Sequence, residues 1–131
     1  MRIGIAITML ALASSISAAH ADPVMLGAHY YANASLTSTA SVVIAPSANV
    51  SGAIITTLEL YNDGGSVSVA ANYPDSTTRY ILQSSTVTGA AGSFLNTRLP
   101  YPIALPPGVG LSIVANSTTQ AGAYVTYDIK N

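Results

Sequence analysis

The sequence predicts an all-β fold, an antiparallel β-sandwich of seven to eight short strands, either jelly-roll or immunoglobulin-like. After the first 21 residues the chain is rich in Ser, Thr, Val, Ile, Tyr, Asn and Gly, which favour strands and turns over helices. Turn residues separate short runs in which apolar and polar side chains alternate. Cys and Trp are both absent, so the usual immunoglobulin markers are missing.

The first 21 residues are predicted to be a secretory signal peptide. Arg2 supplies a positive charge, residues 3–13 are mostly apolar, and Ala19-His20-Ala21 forms a small-residue cleavage signature. The apolar run is too short to cross a hydrocarbon core. We therefore expect one sandwich domain over residues 22–131, located outside the cytoplasm: in the periplasm, at the cell surface or in the extracellular medium.

Charge and cysteine content exclude several partners of this domain. Residues 22–131 hold three cations and five carboxylates, a net charge of −2. Three scattered cations cannot neutralise a run of phosphates, so no nucleic-acid partner is expected. No later segment is apolar for long enough to span a membrane. Without cysteine no disulfide can form, and stability has to come from packing, strand pairing or association.

Residues 53–61 are the clearest predicted strand. One face is expected to carry Ile54, Thr56, Leu58 and Leu60, and the other Ile55, Thr57, Glu59 and Tyr61. Because the only glutamate of the chain marks the second face as solvated, the first face is predicted to be buried.

A β-hairpin is predicted to follow this strand. Asn62-Asp63-Gly64-Gly65 suits its turn, because glycine adopts positive φ angles at little cost. Strict alternation over residues 66–73 predicts the returning strand. Its inward side chains are expected to be Val67, Val69, Ala71 and Tyr73.

Further strands are predicted over residues 24–31, 41–45 and 79–87. In the third of these, Tyr80 and Leu82 are expected to face opposite to Ile81. Residues 73–76 are predicted to form a turn, and residues 88–93 a loop.

Residues 99–115 contain four of the seven prolines, which predict a rigid corner between sheets. Pro100 and Pro102 lack the N–H of a central strand and confine their segment to a strand start or an edge. Pro106-Pro107-Gly108 suits a type II turn. Two alternating strands follow, over residues 111–116 and 123–130. Their apolar faces are expected to hold Leu111, Ile113 and Ala115 in the first strand and Ala123, Val125, Tyr127 and Ile129 in the second.

Few residues could carry out catalysis or bind a metal. His29 is the only histidine after residue 21 and could serve a Ser-His-Asp hydrolase, but no nucleophile motif accompanies it. Zinc lacks suitable ligands, and no cofactor is expected. A loop-borne calcium ion is the alternative. Its candidate ligands, at the ends of the predicted hairpin, are Asn62, Asp63, Asn72 and Asp75.

Two tyrosines form the candidate binding surface. Tyr61 and Tyr124 are expected to point outward, and Thr126 and Asp128 share the face of Tyr124. Tyrosine is common at recognition surfaces because it combines a rigid apolar ring with a hydroxyl. It is also simply a good strand residue, and this alternative stays open.

The leading functional hypothesis is an exported, non-enzymatic structural or adhesive module that packs against other protein chains or against itself. Lysine usually guards strand edges against pairing, and residues 22–131 hold a single lysine at the penultimate position. A small ligand- or carbohydrate-binding module, using the outward tyrosines, is the alternative. A hydrolase built on His29 ranks third.

Overall fold

Two antiparallel sheets pack face to face and confirm the predicted β-sandwich. A computed structural model describes residues 25–86, 94–116 and 120–131, and these residues form nine strands. The predicted signal peptide and the loop at residues 88–93 lie outside the described residues. In the part of the chain that is described, no helix is long and apolar enough to cross a bilayer.

The strands divide between a five-stranded and a four-stranded sheet. In chain order they are β1 (His29–Asn33), β2 (Ser41–Ile44), β3 (Ala53–Asp63), β4 (Gly65–Asn72), β5 (Thr78–Thr86), β6 (Phe94–Arg98), β7 (Ile103–Leu105), β8 (Gly110–Asn116) and β9 (Gln120–Ile129). The five-stranded sheet has the order β1-β9-β3-β6, with β7 also paired to β3. The four-stranded sheet has the order β2-β8-β4-β5.

The strand pairs are nested, which is the order of a jelly roll. β6 and β7 lie one after the other along the same edge of β3 and act as one interrupted strand. Counted that way, β1 pairs with β9, β2 with β8, β3 with β6 and β7, and β4 with β5. An immunoglobulin sandwich distributes its strands differently. Of the two predicted alternatives, the strand order matches the jelly roll.

The core lies between the two sheets and is built from aliphatic side chains. The largest fully buried ones are Ile44, Ile55, Leu58, Leu60, Val67, Val69, Val109, Leu111, Ile113 and Val125. The predicted inward faces of β4, β8 and β9 are therefore confirmed. Tyr73 and Tyr127 pack against the margin of this core and stay partly exposed.

The predicted buried face of β3 is wrong in its first half because the strand contains a β-bulge. Pairing with β9 shifts by one residue between Ile55 and Thr57, so Thr56 is the extra residue. Ile55 is consequently buried on the core side with Leu58, while Ile54 is only partly buried. The Thr56 hydroxyl donates a hydrogen bond to the Thr126 carbonyl oxygen (3.0 Å).

A second bulge corrects the prediction for β5. Val69 pairs with Leu82 and Ala70 with Tyr80, which leaves Ile81 as the extra residue. Tyr80 therefore points to solvent and Leu82 to the core, although simple alternation placed them on one face.

The prediction of a hairpin at residues 62–65 is wrong, although the predicted positive φ angles of its glycines are present. Gly64 and Gly65 have positive φ angles of 87° and 82°. The two flanking strands nevertheless belong to different sheets, because both edges of β3 are already paired with β9 and with β6 and β7. The buried Asn62 side chain spans the crossing: it donates to the Gly65 carbonyl oxygen (2.9 Å) and accepts from the Ser84 hydroxyl (2.7 Å).

The predicted turn at residues 73–76 joins the hairpin that does form. β4 and β5 are adjacent and antiparallel, and the Ser76 amide donates to the Tyr73 carbonyl oxygen (3.0 Å). Asp75 accepts from the Thr77 hydroxyl (2.6 Å) and amide (2.9 Å). These hydrogen bonds lower the pKa of the Asp75 carboxyl.

The proline corner is confirmed as a connection between sheets. It joins β7 to β8, Gly108 has a φ of 76°, and the Val109 amide donates to the Pro106 carbonyl oxygen (3.2 Å), as in a type II turn. A fully buried Asn49 holds the corner, because its side-chain amide donates to the carbonyl oxygens of Pro106 (2.7 Å) and Val109 (2.8 Å).

Candidate functional site

The predicted binding residues lie together on the outer face of the five-stranded sheet. β3 and β9 are neighbours, and the rings of Tyr61 and Tyr124 stack with their centroids 6.0 Å apart and an interplanar angle of 26°. Thr126 and Asp128 follow Tyr124 on the same face of β9. The Asp128 carboxylate is engaged, since it accepts a hydrogen bond from the Ala28 amide (2.6 Å).

A glycine on β9 lets Tyr61 lie flat on the sheet. Gly122 is the register partner of Tyr61, and a Cβ at that position would overlap the tyrosine ring. The Tyr61 hydroxyl donates to the Ala34 carbonyl oxygen (3.3 Å). Desolvation by burial and the neighbouring Tyr124 raise the pKa of the Tyr61 phenol.

Beside the stacked tyrosines, a groove of about 740 Å³ opens where the edge strand is interrupted. Leu99 still donates its amide to the Leu58 carbonyl oxygen (2.9 Å), but Pro100 and Pro102 have no amide to continue the ladder. The groove is lined by Met25, Thr56, Thr57, Leu58, Glu59, Arg98, Leu99, Pro100, Tyr101, Pro102 and Tyr124. The bulge of β3 and the break between β6 and β7 thus meet at one place.

Charged groups of both signs and a hydroxyl line the groove. Arg98 pairs with Glu59 across the β3–β6 register at 3.1 Å, and the Arg98 side chain remains 73% exposed. The hydroxyls of Thr57 and Thr126 share a hydrogen bond of 2.6 Å. The lining therefore offers a carboxylate, a guanidinium and a hydroxyl while its net charge is zero.

Of the predicted binding residues only Tyr124 lines the groove, and the most exposed aromatic residue of the lining, Tyr101, was not predicted. Its side chain is 77% exposed, and Tyr124 is 49% exposed. A signal was present, because Tyr101 stands between two prolines and the residue before a proline is restricted to extended backbone. An aromatic side chain on such a stiff segment is held at the surface instead of folding into the core.

The four calcium candidates are not brought together. Asn62 and Asp63 precede β4, whereas Asn72 is its last residue and Asp75 follows it, and an eight-residue strand spans about 26 Å. The two pairs therefore cannot share one ion, because an extended strand of this length separates them whichever strand β4 pairs with. Among the described residues no three His, Cys, Asp or Glu side chains form a group that could hold a metal ion.

His29 lies at the start of the edge strand β1. Its ring is exposed and stacks on Tyr127, with the centroids 5.3 Å apart and an interplanar angle of 24°. The closest register neighbours of His29 are thus an aromatic ring and the β9 backbone.

In comparisons with known proteins, no family model matches the chain and no curated sequence is significantly similar to it. Two surfaces of the molecule stand out: the groove on the five-stranded sheet, and the outer face of the four-stranded sheet.

Proposed function

We propose that the protein is an exported, non-enzymatic structural or adhesive module that associates with copies of itself through the outer face of the four-stranded sheet. One observation carries this proposal: within the described residues, that face holds no charged side chain. We name it the uncharged face. Its outward side chains are Val42, Ser66, Ser68, Ala70, Asn72, Thr78, Tyr80, Gln83, Ser85, Ser112, Val114 and Asn116.

Charge distribution favours this face for contact between identical copies. In a symmetric dimer the same patch of both copies meets, so a patch with a net charge faces the same net charge. The outer face of the five-stranded sheet carries Glu59, Asp63, Arg98 and Asp128, and three of these four are acidic. Opposing like charges costs several kcal/mol, a penalty that is absent at the uncharged face.

The relief of the uncharged face also suits self-association. One row of side chains runs across all four strands, from Val42 through Ser112 and Ala70 to Tyr80. The two ends of the row are large and exposed, at 62% and 69%, while the two middle residues are small. A second copy turned by half a revolution can place its own Tyr80 over the small middle of the row.

The edge strand β5 supports the same proposal. It is nine residues long and its only charged residue is Arg79, close to one end. The Arg79 guanidinium lies over the Tyr73 ring, 5.3 Å from its centroid, and so does not guard the rest of the edge. Long edges without charge are prone to pairing with other chains.

Sedimentation velocity of the purified protein over a wide concentration range tests the proposal. We expect wild-type protein to form dimers or larger species. The variant Gln83→Lys, which places an exposed cation on the uncharged face, should weaken association about tenfold or more. Asn96→Lys is the matched control, because Asn96 is exposed on the opposite outer face.

A wild-type protein that stays monomeric at high concentration would overturn the proposal. So would an equal loss of association in Asn96→Lys, since the effect would then come from net charge and not from the uncharged face.

A further inference from the structure

We propose that the groove on the five-stranded sheet binds a neutral sugar ring of a glycan, independently of self-association through the opposite face. Sugar rings present a patch of C–H groups on one side and hydroxyls around the rim. The groove offers both complements: tyrosine rings with apolar faces, and polar side chains placed between them.

The shape of the groove fits a small polyhydroxylated ligand. Its volume of about 740 Å³ lies within the range of roughly 300–1,000 Å³ that is usual for small-molecule sites. Tyr101 and Tyr124 both line the groove, and their side chains are 77% and 49% exposed. Exposed aromatic rings in a groove are surfaces on which a sugar face can stack.

The charge balance selects a neutral ligand. Glu59 and Arg98 lie side by side, so a phosphate or carboxylate ligand meets a carboxylate and a cationic ligand meets a guanidinium. Neighbouring sugar hydroxyls, each both donor and acceptor, match such a pair. Arg98 presents five N–H donors in all, and one nitrogen contacts Glu59. Hydrogen bonds to charged groups are stronger than those between neutral groups.

Two parts of the groove are constrained before any ligand arrives, the backbone around Tyr101 and the ring of Tyr124. Pro100 and Pro102 restrict the backbone on both sides of Tyr101, and Tyr61 stacks behind Tyr124 on the space left by Gly122. Side chains that are already ordered lose less entropy on binding. Tyr61 is thus a positioning residue, and Tyr101 and Tyr124 are the proposed contact residues.

Affinity electrophoresis in gels containing neutral polysaccharides (β-1,4-glucan, β-1,3-glucan, xylan, mannan and soluble starch) tests the proposal with the whole protein. We expect at least one of them to retard migration. Tyr101→Ala, Tyr124→Ala and Arg98→Ala should each weaken the affinity about tenfold or more. Tyr30→Ala is the matched control, because Tyr30 is an exposed tyrosine of the same sheet that does not line the groove.

Circular dichroism and sedimentation of each variant separate binding from folding and assembly. The groove variants should keep the wild-type spectrum and association state. Retardation by none of the neutral polysaccharides would overturn the proposal, as would binding only to sulfated or carboxylated glycans. A loss in Tyr30→Ala equal to that in Tyr101→Ala would also overturn it, and so would binding only to proline-rich peptides, the other ligands that aromatic grooves accept.

Discussion

At the scale of single residues, two buried asparagines hold the corners of the sandwich. Asn49 and Asn62 are both fully buried. The side-chain amide of each donates to a backbone carbonyl oxygen in a connection between the two sheets. Their sequence surroundings resemble any exposed polar loop, so their burial could not be predicted. Buried amides of this kind are expensive to disturb, because a lost donor leaves desolvated carbonyl groups unpaired.

Replacement of Asn49 is expected to destabilise the protein strongly. Asn49→Ala removes the donors to the Pro106 and Val109 carbonyl oxygens, and we expect the free energy of unfolding to fall by about 2–3 kcal/mol. Urea unfolding followed by circular dichroism measures it. Asn96→Ala, at an exposed position, should change stability by less than about 0.5 kcal/mol. Equal effects of the two substitutions would show that the buried contacts contribute nothing.

At the scale of elements, the two β-bulges mark the positions at which alternation of the sequence predicted the wrong face. Alternation predicted the faces of β8 and β9 correctly, and the chemistry of Pro107 and Gly108 predicted the corner. One extra residue at Thr56 and another at Ile81 reversed the faces before or after them, and no residue type marks either position. The pairing of the strands on either side of Gly64 could not be predicted either. The same glycine turn can join two paired strands or two strands of different sheets.

The candidate site was predictable only in part for the same reason. The outward direction of Tyr61 and Tyr124 follows from alternation near each tyrosine. Their stacking depends on β9 lying beside β3, which is a property of the topology. The groove depends on a break in an edge strand and on the bulge opposite that break. The place of Tyr101 in the groove therefore could not be predicted without the fold.

A pair of matched substitutions tests the bulge in β3. Ile55→Ala removes a fully buried side chain and should cost about 2–5 kcal/mol of unfolding free energy. Ile54→Ala, at the neighbouring, partly buried position, should cost less than half as much. Thermal and urea unfolding of both variants measure the difference. The reverse ranking would mean that the strand runs without a bulge and that Ile54 faces the core.

At the scale of the whole molecule, the two outer faces differ in charge. Glu59, Asp63, Arg98 and Asp128 all lie on one of them, and the described residues place none on the other. A sandwich divided in this way has one face suited to contact with a copy and one suited to solvent or ligand. The two proposals therefore use different surfaces and can fail separately.

Self-association through the uncharged face is expected to be nearly independent of salt. Between about 0.05 and 0.5 M NaCl, which shortens the screening length several-fold, the dimer dissociation constant should change by less than about threefold. Sedimentation equilibrium at several ionic strengths measures it. A steep weakening of association with salt would show that ion pairs hold the copies together. The contact would then lie on the outer face of the five-stranded sheet.

The position of β9 governs when this protein can fold. β9 lies between β1 and β3, and in the described residues it is the only strand with which β1 pairs. A polypeptide emerging from a ribosome thus carries β1 and β3 before β9, the strand that lies between them, has been made. The five-stranded sheet can be completed only once Gln120–Ile129 is available, and an incomplete sheet leaves apolar surface that favours aggregation.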